Sequence, residues 1–422
     1  MTYTDDAKGL QEDLVRLRRD LHRIPEIGLE LPRTQERVLA ALDGLPLEIS
    51  TGRELNSVVA VLRGTGPATQ DAGGAEGSGG VGGSDGSGGS DGAARPAVLL
   101  RGDMDALPVV ERTGLDFVAD GPNMHACGHD LHTAMLVGAA RLLSARRDRL
   151  AGDVVFMFQP GEEGQDGAGH MIREGVLDAA GPRVIGAYGL HVMSNRLPRG
   201  QFVSRAGTFM AGADEIQVTV RGAGAHGSLP HTGKDPIPVA CEMVVALQSL
   251  VTRKFDIFDP VVITVGAFHA GTASNIIPDD ATFHVTMRSF SRDSRAKLLI
   301  VVAELLNGLA AAHGCGVDIT YKEQYPPTVN HAPEVDFVEE VAREVYGEER
   351  FERLPNPIPG AEDFSHVLEA VPGAYAFLGA CPTDDLEHAP SNHSPLAAFD
   401  DSVLGDGAAL LAELADRRLV RG

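Results

Sequence analysis

The residues best placed to do chemistry stand in Asn123–Met124–His125–Ala126–Cys127–Gly128–His129–Asp130, where a thiol, two imidazoles and a carboxylate share eight positions. A second polar knot, Gln159–Pro160–Gly161–Glu162–Glu163–Gly164, directly follows the apolar run 154–158. Cysteine and histidine hold borderline metal ions, and a nearby glutamate can move the proton of a metal-activated water. Two adjacent acids in a loop are ordinarily solvated. Glu162 and Glu163 instead follow a buried strand and a Pro–Gly turn, which favours function. A lone buried cysteine is usually a small hydrophobe, and Cys241, Cys315 and Cys381 read that way. Cys127 differs because only Gly128 separates it from His129. Taken together, these stretches indicate a metal-dependent hydrolase.

The elements that position these groups follow from periodicity. Residues 97–100, 154–158 and 184–188 read as short buried strands, and 131–143 as a helix. Asp103 and Asp105 then follow the first strand, Glu162 and Glu163 the second, and His191 the third. Strand and helix alternation predicts an α/β layer with a mainly parallel sheet, in which chemistry gathers at the carboxyl ends of strands. Leu10, Leu14, Leu17 and Leu21 predict an amphipathic opening helix, and 58–62 a further strand. Residues 69–96 are mostly Gly, Ser, Asp and Ala with almost nothing to bury, which predicts an unstructured loop. No phosphate-binding glycine register precedes a helix there.

From about Arg205 the pattern changes. Strands over 215–221, 261–267, 281–289 and 317–321, with helices over 237–253 and 295–312, give the β-α-β-β-α-β order of a ferredoxin-like module. Tyr325–Pro326–Pro327 marks its exit. The expectation is a discontinuous catalytic domain, 1–204 and 328–422, interrupted by a satellite domain over 205–327.

Composition narrows the function classes. A chain of 422 residues exceeds the usual single core. A formal charge of −23 repels phosphate backbones, so nucleic acid is not an expected partner. No apolar run is long enough to span a bilayer, and the first residues do not form a secretory signal. Four scattered cysteines without a CxxC pair fit a reducing cytoplasm.

The motifs resemble those of the M20 metallopeptidase superfamily, and within it the M20D amidohydrolases, which include aminoacylase-like enzymes, hippurate hydrolases and auxin-conjugate hydrolases. The matching stretches are Asp103–Met104–Asp105–Ala106–Leu107–Pro108, His125–Ala126–Cys127–Gly128–His129–Asp130–Leu131–His132, Phe158–Gln159–Pro160–Gly161–Glu162–Glu163 and Gly189–Leu190–His191–Val192. They continue through Gly224–Ala225–His226–Gly227–Ser228–Leu229–Pro230–His231, Ser274–Asn275–Ile276–Ile277–Pro278, Gly360–Ala361–Glu362–Asp363–Phe364 and Asn392–His393–Ser394–Pro395. The likeness runs from about residue 10 to the C-terminus, and the glycine-rich loop lies outside it.

The resemblance implies a dinuclear-metal peptidase catalytic domain of the phosphorylase/hydrolase-like type, with an inserted ferredoxin-like α+β satellite domain. It implies two divalent ions, zinc, manganese, cobalt or nickel, held by Cys127, His129, Glu163, His191 and His393. His129 and His191 would take one ion, Glu163 and His393 the other, with Cys127 between them where many relatives carry aspartate. Glu162 would be the general base. Asp105 would orient a ligating histidine, and His226 would support the oxyanion from the partner subunit of a homodimer built on the satellite domain. Where many members of the wider superfamily have a histidine two residues before Asp105, this chain has Asp103, a departure typical of the branch. Asn275 and Arg288 match positions that bind the substrate carboxylate; a strand-surface arginine paired with a nearby acid is the alternative for Arg288. His125 and His132 read as residues that fix ligand tautomers or as caps. The 360–364 stretch either lines the site or is a structural loop.

The implied reaction is hydrolysis of an N-acyl amino acid to a carboxylate and a free amino acid. A dipeptidase or carboxypeptidase on the same scaffold is the alternative within enzymes. A non-catalytic binding module would have lost a ligand or the base, and Cys127, His129, Glu162, Glu163, His191 and His393 are all present.

Overall fold

A computed structural model of the protein describes residues 2–67 and 95–422. The expectation of an unstructured loop over 69–96 therefore falls outside the described residues, except at Arg95 and Pro96. The chain forms two compact units, Met1–Ser204 with Pro333–Glu352 and Val371–Gly422, and Arg205–Ala332 with Arg353–Ala370. The sequence reading draws the smaller domain as 205–327; the second unit also takes 328–332 and 353–370.

The first unit is built on an eight-stranded mixed sheet. Its spatial order is Leu47–Thr51, Val58–Leu62, Asp153–Gln159, Ala97–Asp103, Gly186–Met193, Gly373–Gly379, Phe202–Ser204 and Phe351–Arg353. The four central strands, Asp153–Gln159 to Gly373–Gly379, run parallel. Val58–Leu62 and Phe202–Ser204 flank them antiparallel. Three of the parallel strands are buried at every residue, as strands covered on both faces must be.

Two boundaries differ from the sequence reading. Asp103 does not follow its strand but ends it, because Gly102 and Asp103 go on pairing with Phe158 and Gln159. The strand expected over 184–188 is Gly186–Met193, so His191 lies within it rather than after it. Its parallel partner Gly373–Gly379 keeps the ladder going, with His191 opposite Phe377.

Helices Tyr3–His22, His129–Ser144 and Leu404–Arg421 pack on one another, and the latter two also contact the sheet. Thr2 closes a capping box with Asp5 at the start of the first helix. The three approach closely at Gly138, where a Cβ would stand 2.7 Å from Ala408 Cβ and 3.1 Å from Leu14 Cδ1.

The second unit carries a four-stranded antiparallel sheet in the order Val261–Ala270, Asp280–Ser289, Gly212–Arg221, Gly316–Tyr325. Helices Pro236–Lys254 and Arg292–Ala312 bury Val239, Met243, Leu247, Leu298, Val302 and Leu306 in one core with Ile216, Val218, Phe283 and Val285. Asp235 and Ser291 cap the two helices through the backbone amides of Ile237 and Ser294. In chain order the strands stand 2-3-1-4, the ferredoxin-like arrangement. Among the described residues no helix is long and apolar enough to cross a membrane.

Gly138→Ala tests the three-helix contact. Alanine gains about 1 kcal/mol of helix propensity, but overpacking typically costs about 1–3 kcal/mol. With a contact of 2.7 Å the second effect wins, and thermal unfolding of the variant should have a lower midpoint than wild type.

Candidate metal centre

Gly128 shapes the first loop of the site. Its φ is 89°, and a Cβ there would meet Val192 Cγ2 at 2.4 Å. It precedes the helix His129–Ser144, so Cys127 ends the loop and His129 opens the helix. Cys127 Sγ lies 3.3 Å from His191 Nε2 and 3.3 Å from His393 Nε2. His393 Nε2 is 3.2 Å from Glu163 Oε1. Two donor clusters share the thiol: Cys127 with His129 and His191, and Cys127 with Glu163 and His393, each with its ligand atoms within 4.8 Å of one another. Glu162, His129 and Glu163 form a third group on the same criterion. Burial opposes ionisation of the Cys127 thiol, but the imidazoles of His191 and His129 hold it well below the usual thiol range.

The rings are oriented by backbone carbonyls. His129 Nδ1 donates to Asp105 O at 2.8 Å, and His191 Nδ1 donates to Val192 O at 2.8 Å. A ring that donates through Nδ1 presents Nε2 as its free lone pair. His129 Nε2 is buried and has no hydrogen-bond partner. A buried polar atom left without a partner costs about 1–3 kcal/mol. A soft thiolate, imidazoles and a carboxylate converging on such an atom fit a divalent cation.

His132 also groups with Asp103 and His129 within 4.8 Å, but both of its ring nitrogens are already engaged. Its Nδ1 donates to Asp103 Oδ1 at 2.5 Å, and its Nε2 accepts from Val192 N at 2.8 Å. With both nitrogens engaged, the ring is neutral and serves to fix Val192 beside His191. Asp103 is fully buried and takes Arg101 Nη1 on Oδ2 at 2.6 Å. Burial works against its charge, yet Arg101, His129 and His132 hold its carboxyl well below the usual range. Asp103 therefore supports the site and is not free to coordinate. Arg101 also donates to Gln159 Oε1 at 2.9 Å and to Tyr375 Oη at 3.2 Å. Sequence reasoning missed Arg101; its signal was a charged residue inside an otherwise apolar strand.

Asp105 meets His129 twice: its backbone carbonyl accepts from Nδ1 at 2.8 Å, and its Oδ1 lies 3.5 Å from the same nitrogen. The carboxylate accepts from the amides of Glu162 and Glu163, each at 3.0 Å, and so holds the two glutamates side by side. His125 is buried with neither ring nitrogen bonded, and burial pushes its pKa down to about 3. It joins no donor cluster among the described residues.

The remaining expected site residues lie in the second unit. His226 pairs with Ile276, and Gly227 N donates to Asn275 O at 2.8 Å, which brings His226 and Asn275 together. Arg288 is half-buried and donates to Thr286 Oγ1 and Met287 O; it makes no ion pair among the described residues.

Residues 99–417 match peptidase family M20/M25/M40. The chain belongs to that family. It is 35% identical over 407 residues to the IAA-amino acid hydrolase ILR1-like 2 of Arabidopsis thaliana, covering 95% of this chain and 84% of that protein. It is 33% identical over 416 residues to thermostable carboxypeptidase 1 of Saccharolobus solfataricus, covering 97% and 96%. The fold matches the crystal structure of a dinuclear metal binding peptidase from the M20 family of Bacillus subtilis, with a TM-score of 0.77 and 28% identity over 98% of this chain and 99% of that one. The M20 chain described here is thus a metal-dependent hydrolase with the mixed α/β fold of its family.

The Arg101–Asp103–His132 support can be tested by Asp103→Asn. Removing one charge of a buried pair typically costs about 3–5 kcal/mol, and His132 also loses its anionic partner. Denaturant unfolding at neutral pH should show a loss of that order; unchanged stability would contradict the assignment.

Proposed function

We propose that the protein hydrolyses the amide bond of N-acyl amino acids, releasing a carboxylate and a free amino acid. The observation that carries this reading is the Asp105 clamp, which aligns Glu163 with Cys127 and His393 while leaving Glu162 beside His129. A donor set and a separate carboxylate are thereby held in one site, buried at Cys127, His129 and Glu162 and open at His393.

In this reading His129 and His191 would hold one divalent ion and Glu163 and His393 another, with Cys127 available to both donor clusters. The thiolate favours zinc, manganese, cobalt or nickel over magnesium. When bound, the ions polarise the amide carbonyl and acidify water. Glu162 takes the proton of the attacking water as general base. It returns that proton to the amide nitrogen as the C–N bond breaks. His226 is the proposed oxyanion donor, contributed by a second copy of the chain in a homodimer formed through the satellite unit. Its Nδ1 accepts from Ser228 N at 3.1 Å, which leaves the ring proton on Nε2 for donation. Asn275 and Arg288 are the proposed partners of the amino-acid carboxylate; a half-buried guanidinium that makes no ion pair among the described residues supports this. Four free cysteines fit a reducing cytoplasm.

The carboxypeptidase relative supports a second reading, cleavage of peptides with the same residues in the same roles. The deciding assay is release of free amino acid from N-acetyl and N-benzoyl amino acids and from dipeptides, after chelation and again with zinc, manganese, cobalt or nickel restored. The proposal expects metal-restored turnover of acyl-capped substrates. Turnover of dipeptides alone would move the assignment to the second reading. Glu162→Gln should lower kcat by about 10²–10⁴-fold with metal content unchanged, and a wild-type rate would remove Glu162 from the role of base.

A further inference from the structure

We propose that Asn392 is the positioning residue of the metal centre, tying the Cys127, His191 and His393 segments together through one side-chain amide and donating towards the Cys127 sulfur. The inference rests on the reading of those three residues as ligands. Asn392 Nδ2 donates to Val192 O at 3.0 Å and to Cys127 O at 3.2 Å, and lies 3.9 Å from Cys127 Sγ. Its Oδ1 accepts from Ser194 N at 2.9 Å. Val192 O is also the acceptor that orients His191 through Nδ1. One amide thus reaches the carbonyl of the thiol residue, the carbonyl that sets the His191 ring, and the backbone just beyond it.

The next residue explains why such a knot is needed. His393 is one of three non-glycine residues with positive φ among the described residues, at 71°. A side chain in that region costs on the order of 1–3 kcal/mol unless its surroundings hold it. The His393 amide donates to Ala126 O at 2.9 Å, immediately before Cys127. Asn392 supplies a further restraint on the same turn. An asparagine offers two N–H donors and an acceptor at one length. Aspartate keeps the acceptor for Ser194 but has no donors for the two carbonyls, and alanine has neither. The N–H given to Cys127 O is shared with the more distant Sγ of the same residue.

The test uses metal-stripped full-length protein reconstituted with Co²⁺ alone. Wild type should show a thiolate-to-cobalt charge-transfer band. In Asn392→Ala and Asn392→Asp the band should move to longer wavelength, and competition with a chelator should show cobalt bound roughly 10–100-fold more weakly, as for other residues that orient ligands. Circular dichroism and thermal melting of the metal-free variants separate this from loss of fold. Should Asn392→Ala not fold, the near-isosteric Asn392→Asp, which retains the Ser194 bond, decides alone. A wild-type band and wild-type affinity in a folded variant overturn the proposal for Asn392 and leave the ligand reading standing. No thiolate band in the wild-type cobalt protein overturns the Cys127 reading, and this inference with it.

Discussion

Cys127 Sγ, between two imidazoles at 3.3 Å each, is the contact on which the rest of the site depends. A buried thiolate so close to His191 and His393 draws three chain segments together, with His393 on the exposed side. Such proximity is unfavourable for unpaired polar groups. It becomes favourable when their lone pairs point to a shared cation, and His129 Nε2, buried without a hydrogen bond, points to the same requirement. The surrounding residues are consistent with that constraint. Backbone carbonyls take the Nδ1 protons of His129 and His191, and Asp105 fixes the two glutamates through their amides.

The sheet of the first unit converts this local chemistry into a rigid frame. Asp103 ends one parallel strand and Gln159 its neighbour, and they pair directly. Arg101 bridges Asp103, Gln159 and Tyr375 from within the layer. His132 transmits the position of Asp103 to Val192. A helix, two strands and a loop are therefore coupled by side chains that never need to touch an ion. In the second unit Arg288 stands on the ferredoxin-like sheet, while His226 lies on a separate two-stranded ribbon with Ile276, next to Asn275.

How much of this was legible in the sequence depends on the range of each interaction. The clustering of Cys127 with His129 and of Glu162 with Glu163 is local, so spacing was enough to see it. The element order of the second unit was also legible, because its strands carry an alternating stretch; Asp280–Ser289 buries every second residue. The extent of the strand carrying His191 was not, since its pairing partner Gly373–Gly379 lies far along the chain. The part played by Asn392 was equally hidden, because its partners Cys127 and Val192 are 265 and 200 residues away. The second task of Asp105, holding the two glutamate amides, was hidden for a smaller reason: sequence identifies a carboxylate but not which amides its oxygens meet.

The central claim is that Cys127 sits between two ions. The most direct measurement is anomalous diffraction from crystals of the metal-loaded protein, recorded on both sides of the absorption edge of the metal supplied. The account predicts two anomalous peaks, both within bonding distance of Cys127 Sγ, one beside His129 and His191 and the other beside Glu163 and His393. A single peak, or peaks remote from Cys127, would contradict it.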